Sequence, residues 1–174
     1  VTVDGYWYNG RALPLGDRIA EIVAKLPTVE RVVVIPYLGG AAGPGDLSPI
    51  RGAVSWDAFL APHAAGPIDY VELPFAHPLY ILYSSGTTGV PKCIVHGAGG
   101  TLLQHLKEHR LHGDVKRGDR IFYFTTCGWM MWNWLVSGLA AGATLLLYDG
   151  SPFVRAGRVL WDYADEERMT HFGT

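Results

Sequence analysis

The chain has 174 residues, 49% of them hydrophobic and 17% charged, which is enough for a compact domain with a large core and too apolar for a disordered one. A formal net charge of −2 gives no electrostatic grounds for a nucleic-acid partner or an anionic membrane surface. The two cysteines, Cys93 and Cys127, lie far apart and form no CxxC pair, which argues against a disulfide framework or a zinc site and for a reducing, cytoplasmic compartment.

In chain order, the first residues Val1-Thr2-Val3-Asp4 show no basic start followed by an apolar run, so no signal peptide is visible. Residues 17–26 read as a helix, because Ile19, Ile22, Val23 and Leu26 recur at helical spacing and Pro27 closes the run. Residues 31–37 contain Val-Val-Val-Ile, a short buried strand. Residues 38–49 are rich in Gly, Ala and Pro and read as a mobile loop. Ser55 is placed to cap a short helix carrying Trp56, Phe59 and Leu60.

The second half alternates more regularly. Strands are expected over 79–83, 93–96, 121–126 and 143–148. Helices are expected over 101–112, with Leu102, Leu103 and Leu106 facing inward, over 129–141, and over most of 155–169. Strand, helix, strand, helix, strand predicts an α/β layered fold with parallel pairs covered by helices. Residues 121–148 carry no charge for 28 positions, long enough for a bilayer span. A span is nevertheless rejected. Gly128 and Gly142 divide the run, its outer pieces read as buried strands, and its tryptophans lie in the middle and not at the ends. The chain starts at Val, and residues 170–174 read as a strand just begun, so it is taken as a piece of something longer.

The chemistry concentrates in Tyr83-Ser84-Ser85-Gly86-Thr87-Thr88-Gly89-Val90-Pro91-Lys92. A polyphosphate needs converging donors without bulk in the way. Gly86 and Gly89 let the backbone N–H groups approach, Ser84, Ser85, Thr87 and Thr88 add hydroxyls, and Lys92 adds a point charge. A Walker A loop requires Gly before its Lys and Ser or Thr after it. Here Pro91 precedes Lys92 and Cys93 follows, and the loop leads toward a strand where a Walker loop opens a helix.

The segment YSSGTTGVPK resembles the phosphate loop of the adenylate-forming enzymes, which include acyl-CoA synthetases, luciferases and peptide-synthetase adenylation domains. The longer stretches from His77, from Thr125 (TTCGWMMWNWLVSGLAAGATLLLYDGSP) and from Asp4 are similar to the acetoacetyl-CoA synthetases within that family. The resemblance implies a two-step ligase. A carboxylate attacks the α-phosphate of Mg-ATP to give an acyl-adenylate and pyrophosphate, and coenzyme A then displaces AMP. It implies that Ser84, Ser85, Gly86, Thr87, Thr88, Gly89 and Lys92 wrap the β- and γ-phosphates and steady the leaving pyrophosphate. It also implies that 1–174 is part of an N-terminal AMP-binding domain, with a first α/β portion over 1–76 and a phosphate-loop and acyl-pocket portion over 77–174. ATP, Mg2+, coenzyme A and acetoacetate are the implied small molecules. The family's magnesium, ribose and catalytic-lysine residues have no counterpart in this chain, so it is expected to be inactive alone. Two other readings stay open: another short-chain acyl-CoA synthetase, and a non-catalytic nucleotide-binding module.

Three further features have double readings. In related synthetases the region of Trp129, Met130, Met131 and Asn133 contributes to the acyl and coenzyme A pockets, with Trp129 best placed and Asn133 a donor to a ketone oxygen; the same aromatic block also reads as plain core. His105, His109 and His112 share a helical face, but no HExxH pattern or third ligand supports a metal. With Lys107, Glu108 and Arg110 among them, they read as a solvated face. His96 either lines the nucleotide cleft or is a satisfied structural histidine.

Overall fold

A computed structural model describes residues 1–8, 11–84 and 89–174, and they form two compact units, Val1–Asp69 and Tyr70–Thr174.

The first unit contains β1 (Thr2–Val3), β2 (Gly5–Tyr8), β3 (Arg11–Pro14), α1 (Gly16–Ala24), β4 (Val32–Ile35), β5 (Ala53–Ser55) and α2 (Trp56–Leu60). β2 and β3 form an antiparallel hairpin, while β1, β4 and β5 make a parallel sheet with β4 in the centre. The central place explains the Val-Val-Val-Ile sequence. Val32, Val33 and Val34 are all buried, as a strand covered on both faces requires. Ile19 and Val23 of α1 close one face with Val32, Val34 and Ile50, whereas Ile22 and Leu26 stay largely exposed. Arg51 caps the end of α1 by donating to the carbonyls of Val23, Leu26 and Val29, a cation where a helix ends in free carbonyls. Ser55 caps α2 as expected, its Oγ accepting from the Ala58 amide at 3.2 Å. The Gly-rich loop carries a short 3-10 turn at Gly40–Ala42, and its first amides, Leu38 and Gly39, each donate to the Asp4 carboxylate at 2.8 Å.

The second unit contains β6 (Pro78–Ser84), β7 (Lys92–Gly97), α3 (Ala98–Lys107), β8 (Arg120–Tyr123), α4 (Met130–Ser137), β9 (Thr144–Leu146), α5 (Val159–Glu166) and β10 (His171–Gly173). β6 and β7 pair antiparallel, and β8 is the centre of a parallel sheet in the order β10-β8-β9. The layering follows from two adjacent side chains of β8. Ile121, 1% exposed, packs with Val115, Leu135, Ala141 and Ala143 on the α4 side. Phe122, 3% exposed, packs with Leu146 and Leu160 on the α5 side. Successive strand residues point to opposite faces, so the two helices cover opposite faces of the sheet, the α/β arrangement expected from the sequence. Arg120 ties the start of β8 to the end of α5 by donating to the Glu167 carbonyl and carboxylate. The uncharged run 121–148 is divided among β8, α4 and β9, and no helix among the described residues is long and apolar enough to cross a membrane.

The expected orientation of α3 is corrected. Leu102 and Leu103 face outward, 45% and 61% exposed, while Thr101, His105 and His109 form the buried stripe. A π-helical turn at Glu108–His112 continues the helix, so the stripe runs on past the end of α3. The histidine face is therefore not solvated: His109 is fully buried, and of the three histidines only His112 is exposed.

Candidate functional site

The loop expected to bind phosphate runs from the end of β6 to the start of β7, and these two strands pair. β6 and β7 place Ser84 directly opposite Lys92, with Tyr83 opposite Cys93. The Lys92 amide donates to Ser84 Oγ at 3.4 Å, a contact that links the two ends of the loop. Gly89 adopts φ +115°, a conformation that side-chain-bearing residues rarely tolerate, and Gly89, Val90, Pro91 and Lys92 are all exposed. Lys92 thus has a fixed backbone and a side chain open to solvent. The loop leads into a strand, in accord with the rejection of a Walker loop. Ser85, Gly86, Thr87 and Thr88, the middle of the loop, lie outside the described residues.

The Trp-Met block opens α4. Trp129 stands at the helix start with extended backbone, and its amide donates to the Thr126 carbonyl at 3.1 Å. The block divides along its length. Trp129 and Met130 are 70% and 50% exposed, Met131 and Asn133 are half-buried, and Trp132 and Trp134 pack against the core around Ile121 and Leu135. The two readings of this segment therefore fall on different residues, with the core role on Trp132 and Trp134 and the open surface at Trp129 and Met130.

Behind the block lies a cluster with no assigned role in the sequence. His109 Nε2 sits 2.9 Å from the Trp134 carbonyl and 3.0 Å from Ser137 Oγ, and the Ser137 hydroxyl donates to the same carbonyl at 2.6 Å. Both neighbours of Nε2 act as acceptors, which assigns the ring proton to Nε2 and leaves Nδ1 as a lone pair. Nδ1 of His109, like Nδ1 of His105, is buried and has no hydrogen-bond partner among the described residues. The rings of His109 and Trp134 lie 4.2 Å apart between centroids at a 34° tilt, and Tyr123 meets Trp134 edge-on at 6.0 Å. Burial pushes the His109 imidazole below its ordinary pKa, with the Trp134 carbonyl and Glu108 opposing and His171 adding to the shift. Burial also lowers His105, helped by His109 and His96 and opposed by Glu108. His96, half-buried on β7, thus belongs electrostatically with this cluster. The i, i+4 spacing of His105 and His109 carried the signal, with Thr101 one turn earlier. Their charged neighbours on the helix hid it.

Among the described residues no group of three His, Cys, Asp or Glu side chains can hold a metal ion, so no residue is assigned to magnesium.

The family described as AMP-binding enzyme matches residues 17–174. The chain is 58% identical to the acetoacetyl-coenzyme A synthetase of Rhizobium meliloti (strain 1021) over 100% of its own length and 26% of that protein's. It is 53% identical to a malonamoyl-CoA synthetase of Penicillium aethiopicum, over 86% of this chain and 21% of that one. A solved structure of acetoacetyl-CoA synthetase from Streptomyces lividans superposes with TM-score 0.86 at 46% identity, covering 99% of this chain and 25% of the other. The chain spans about a quarter of the length of the curated relatives it matches.

Proposed function

The chain belongs to the AMP-binding enzyme family, and from that premise we propose that it is the phosphate-loop portion of an ATP-dependent acid–CoA ligase that converts acetoacetate to acetoacetyl-CoA through an acyl-adenylate. The observation that carries this reading is the identity with acetoacetyl-CoA synthetases along the whole chain, across both the loop at 84–92 and the Trp-Met block. In this reading the strand pair holds Ser84 and Lys92 side by side, and Lys92 presents its charge to the pyrophosphate that leaves during adenylation. Ser84 and the residues up to Gly89 complete the cradle around the β- and γ-phosphates of ATP. Trp129 and Met130, exposed at the start of α4, form one wall of the acyl pocket, with Met131 and Asn133 behind them. Coenzyme A is the second-step acceptor and magnesium accompanies ATP. Cys93 and Cys127 are both exposed and unbridged, which supports a cytoplasmic location.

The malonamoyl-CoA relative favours a second reading of the substrate. Acetoacetate and malonamate are both short acids with a carbonyl on the carbon β to the carboxylate, one ending in methyl and the other in an amide. A pocket that recognises the β-carbonyl oxygen and closes on a small group beyond it fits both, and in this reading Asn133 is the donor. The test is pyrophosphate exchange by the full-length protein with acetoacetate, malonamate, butyrate and acetate. The proposal expects acetoacetate to be preferred. Preference for malonamate moves the protein to the second reading, and preference for acetate or butyrate overturns both.

A further inference from the structure

We propose that His109 is a positioning residue for the acyl pocket: it anchors the last turn of α4 through the Trp134 carbonyl and Ser137 hydroxyl and so sets the aim of Asn133 beside that turn and of Trp129 and Met130 at the start of the helix. The inference rests on the acyl-pocket reading given above.

Apolar packing holds α4 against the sheet. Leu135 and Gly138 press it against the sheet, and Gly138 is so close that a Cβ there would meet Ile121 Cδ1 at 2.3 Å. These contacts are apolar and non-directional, so they set the position and rotation of the helix less sharply than a hydrogen bond of defined geometry does. The directional contact is the one from His109. Its Nε2–H reaches a carbonyl and a hydroxyl of the last turn of α4 at 2.9 and 3.0 Å, and its ring packs at a tilt against the Trp134 indole, which also meets Tyr123 edge-on. An α-helix is stiff at this length, with about 1.5 Å of rise per residue, so a shift at Trp134 is carried to Asn133 and Trp129 undiminished.

The choice of side chain points the same way. His109 is fully buried, and its Nδ1 has no partner among the described residues. A buried polar atom left unpaired lowers stability, and an apolar ring such as phenylalanine, though somewhat bulkier, would pack against Trp134 without that penalty. What histidine adds is the Nε2–H bond to α4, and the gain lies in the geometry of the pocket.

The test compares His109→Phe, which keeps a ring against Trp134 but removes the donor, with His109→Gln, which returns an N–H near the same place. Both are made in the full-length enzyme. His109→Phe is expected to raise the KM for acetoacetate about 10-fold and to leave the KM for ATP within about two-fold, since small misplacements of a pocket wall act on the substrate it touches. His109→Gln is expected to recover most of the loss. Ser137→Ala, which removes one of the two partners, shifts the acetoacetate KM in the same direction by less, and carries the test if His109→Phe is not obtained folded. An unchanged acetoacetate KM, or equal rises for acetoacetate and ATP, overturns the positioning role. Failure of the substrate reading shows separately, in wild-type enzyme that prefers another acid; the variants are then compared on that acid.

Discussion

Ser84 and Lys92 stand opposite each other across the β6–β7 pair, and the amide of one donates to the hydroxyl of the other. This relationship fixes both ends of the proposed phosphate loop on one strand pair while leaving the Lys92 side chain exposed. Lys92→Ala in the full-length enzyme is therefore expected to lower the adenylation rate about 100-fold, the scale of losing one preorganised charge contact, and to change the acetoacetate KM by less than about three-fold. Pyrophosphate exchange at varied acetoacetate measures both quantities. Equal losses in rate and acetoacetate binding would contradict a role confined to pyrophosphate.

The buried histidines make stability fall in acid. His105 and His109 both have folded-state pKa values below the ordinary 6.5. Above about 6.5 the imidazoles are neutral folded and unfolded, and the shift contributes nothing. As pH falls through 6.5 the unfolded chain takes up protons that the folded one refuses, so stability drops until the pH passes below the depressed folded values. Glu108 works against the shift, and His96 and His171 deepen it. Urea midpoints measured from pH 7.5 to pH 5 should decline for the wild type and flatten in His105→Leu/His109→Phe. The same decline in both proteins would place the acid sensitivity elsewhere.

Leu135, 1% exposed, is the side chain through which α4 meets Ile121 of β8. Leu135→Ala is expected to cost about 2–5 kcal/mol, the range for emptying a buried leucine site. Leu103→Ser, on the exposed side of α3, should stay within about 0.5 kcal/mol, as surface changes do. Urea unfolding followed by tryptophan fluorescence compares the two. Similar effects would mean that α3 and not α4 covers the main core.

How far the sequence foretold this depends on which physical signal each element carries. β4 was legible because three consecutive β-branched residues buried on both faces leave an unmistakable run. Ser55 was legible because capping is local chemistry between residues three apart. β1, β2 and β3 were not anticipated: Tyr6, Trp7, Tyr8 and Leu13 remain exposed, so no buried alternation marks them. The orientation of α3 was misjudged because leucines usually point inward. Here a neutral imidazole with a carbonyl to bond and an indole to pack against takes the buried stripe instead. Within the site, a cluster of donors and glycines marks the loop at 84–92 in the sequence, and its middle, residues 85–88, lies outside the described residues. The division of the Trp-Met block into exposed and packed halves was not legible, because it depends on where α4 rests against β8.

By itself the 174-residue chain is expected to form no acetoacetyl-CoA from acetoacetate, ATP and coenzyme A. It spans about a quarter of the length of the relatives it resembles, and in the proposed reading it supplies only a grip on the phosphates and one wall of a pocket. Orientation and electrostatic stabilisation together account for more than ~10 kcal/mol of barrier lowering in enzymes, so a partial site gives no measurable turnover. A thioester assay with Lys92→Ala chain as the contamination control checks this, and turnover above that control would reveal a complete site within these residues.

The central claim, that this chain holds the phosphate loop of an acetoacetate-activating ligase, is tested most directly by acetoacetate-dependent exchange of labelled pyrophosphate into ATP. The assay uses the full-length protein without coenzyme A, which isolates the adenylation step. The account predicts exchange that requires acetoacetate, exceeds that with butyrate or acetate at equal concentration, and falls about 100-fold in Lys92→Ala. Exchange independent of acetoacetate, or undiminished in Lys92→Ala, would contradict it.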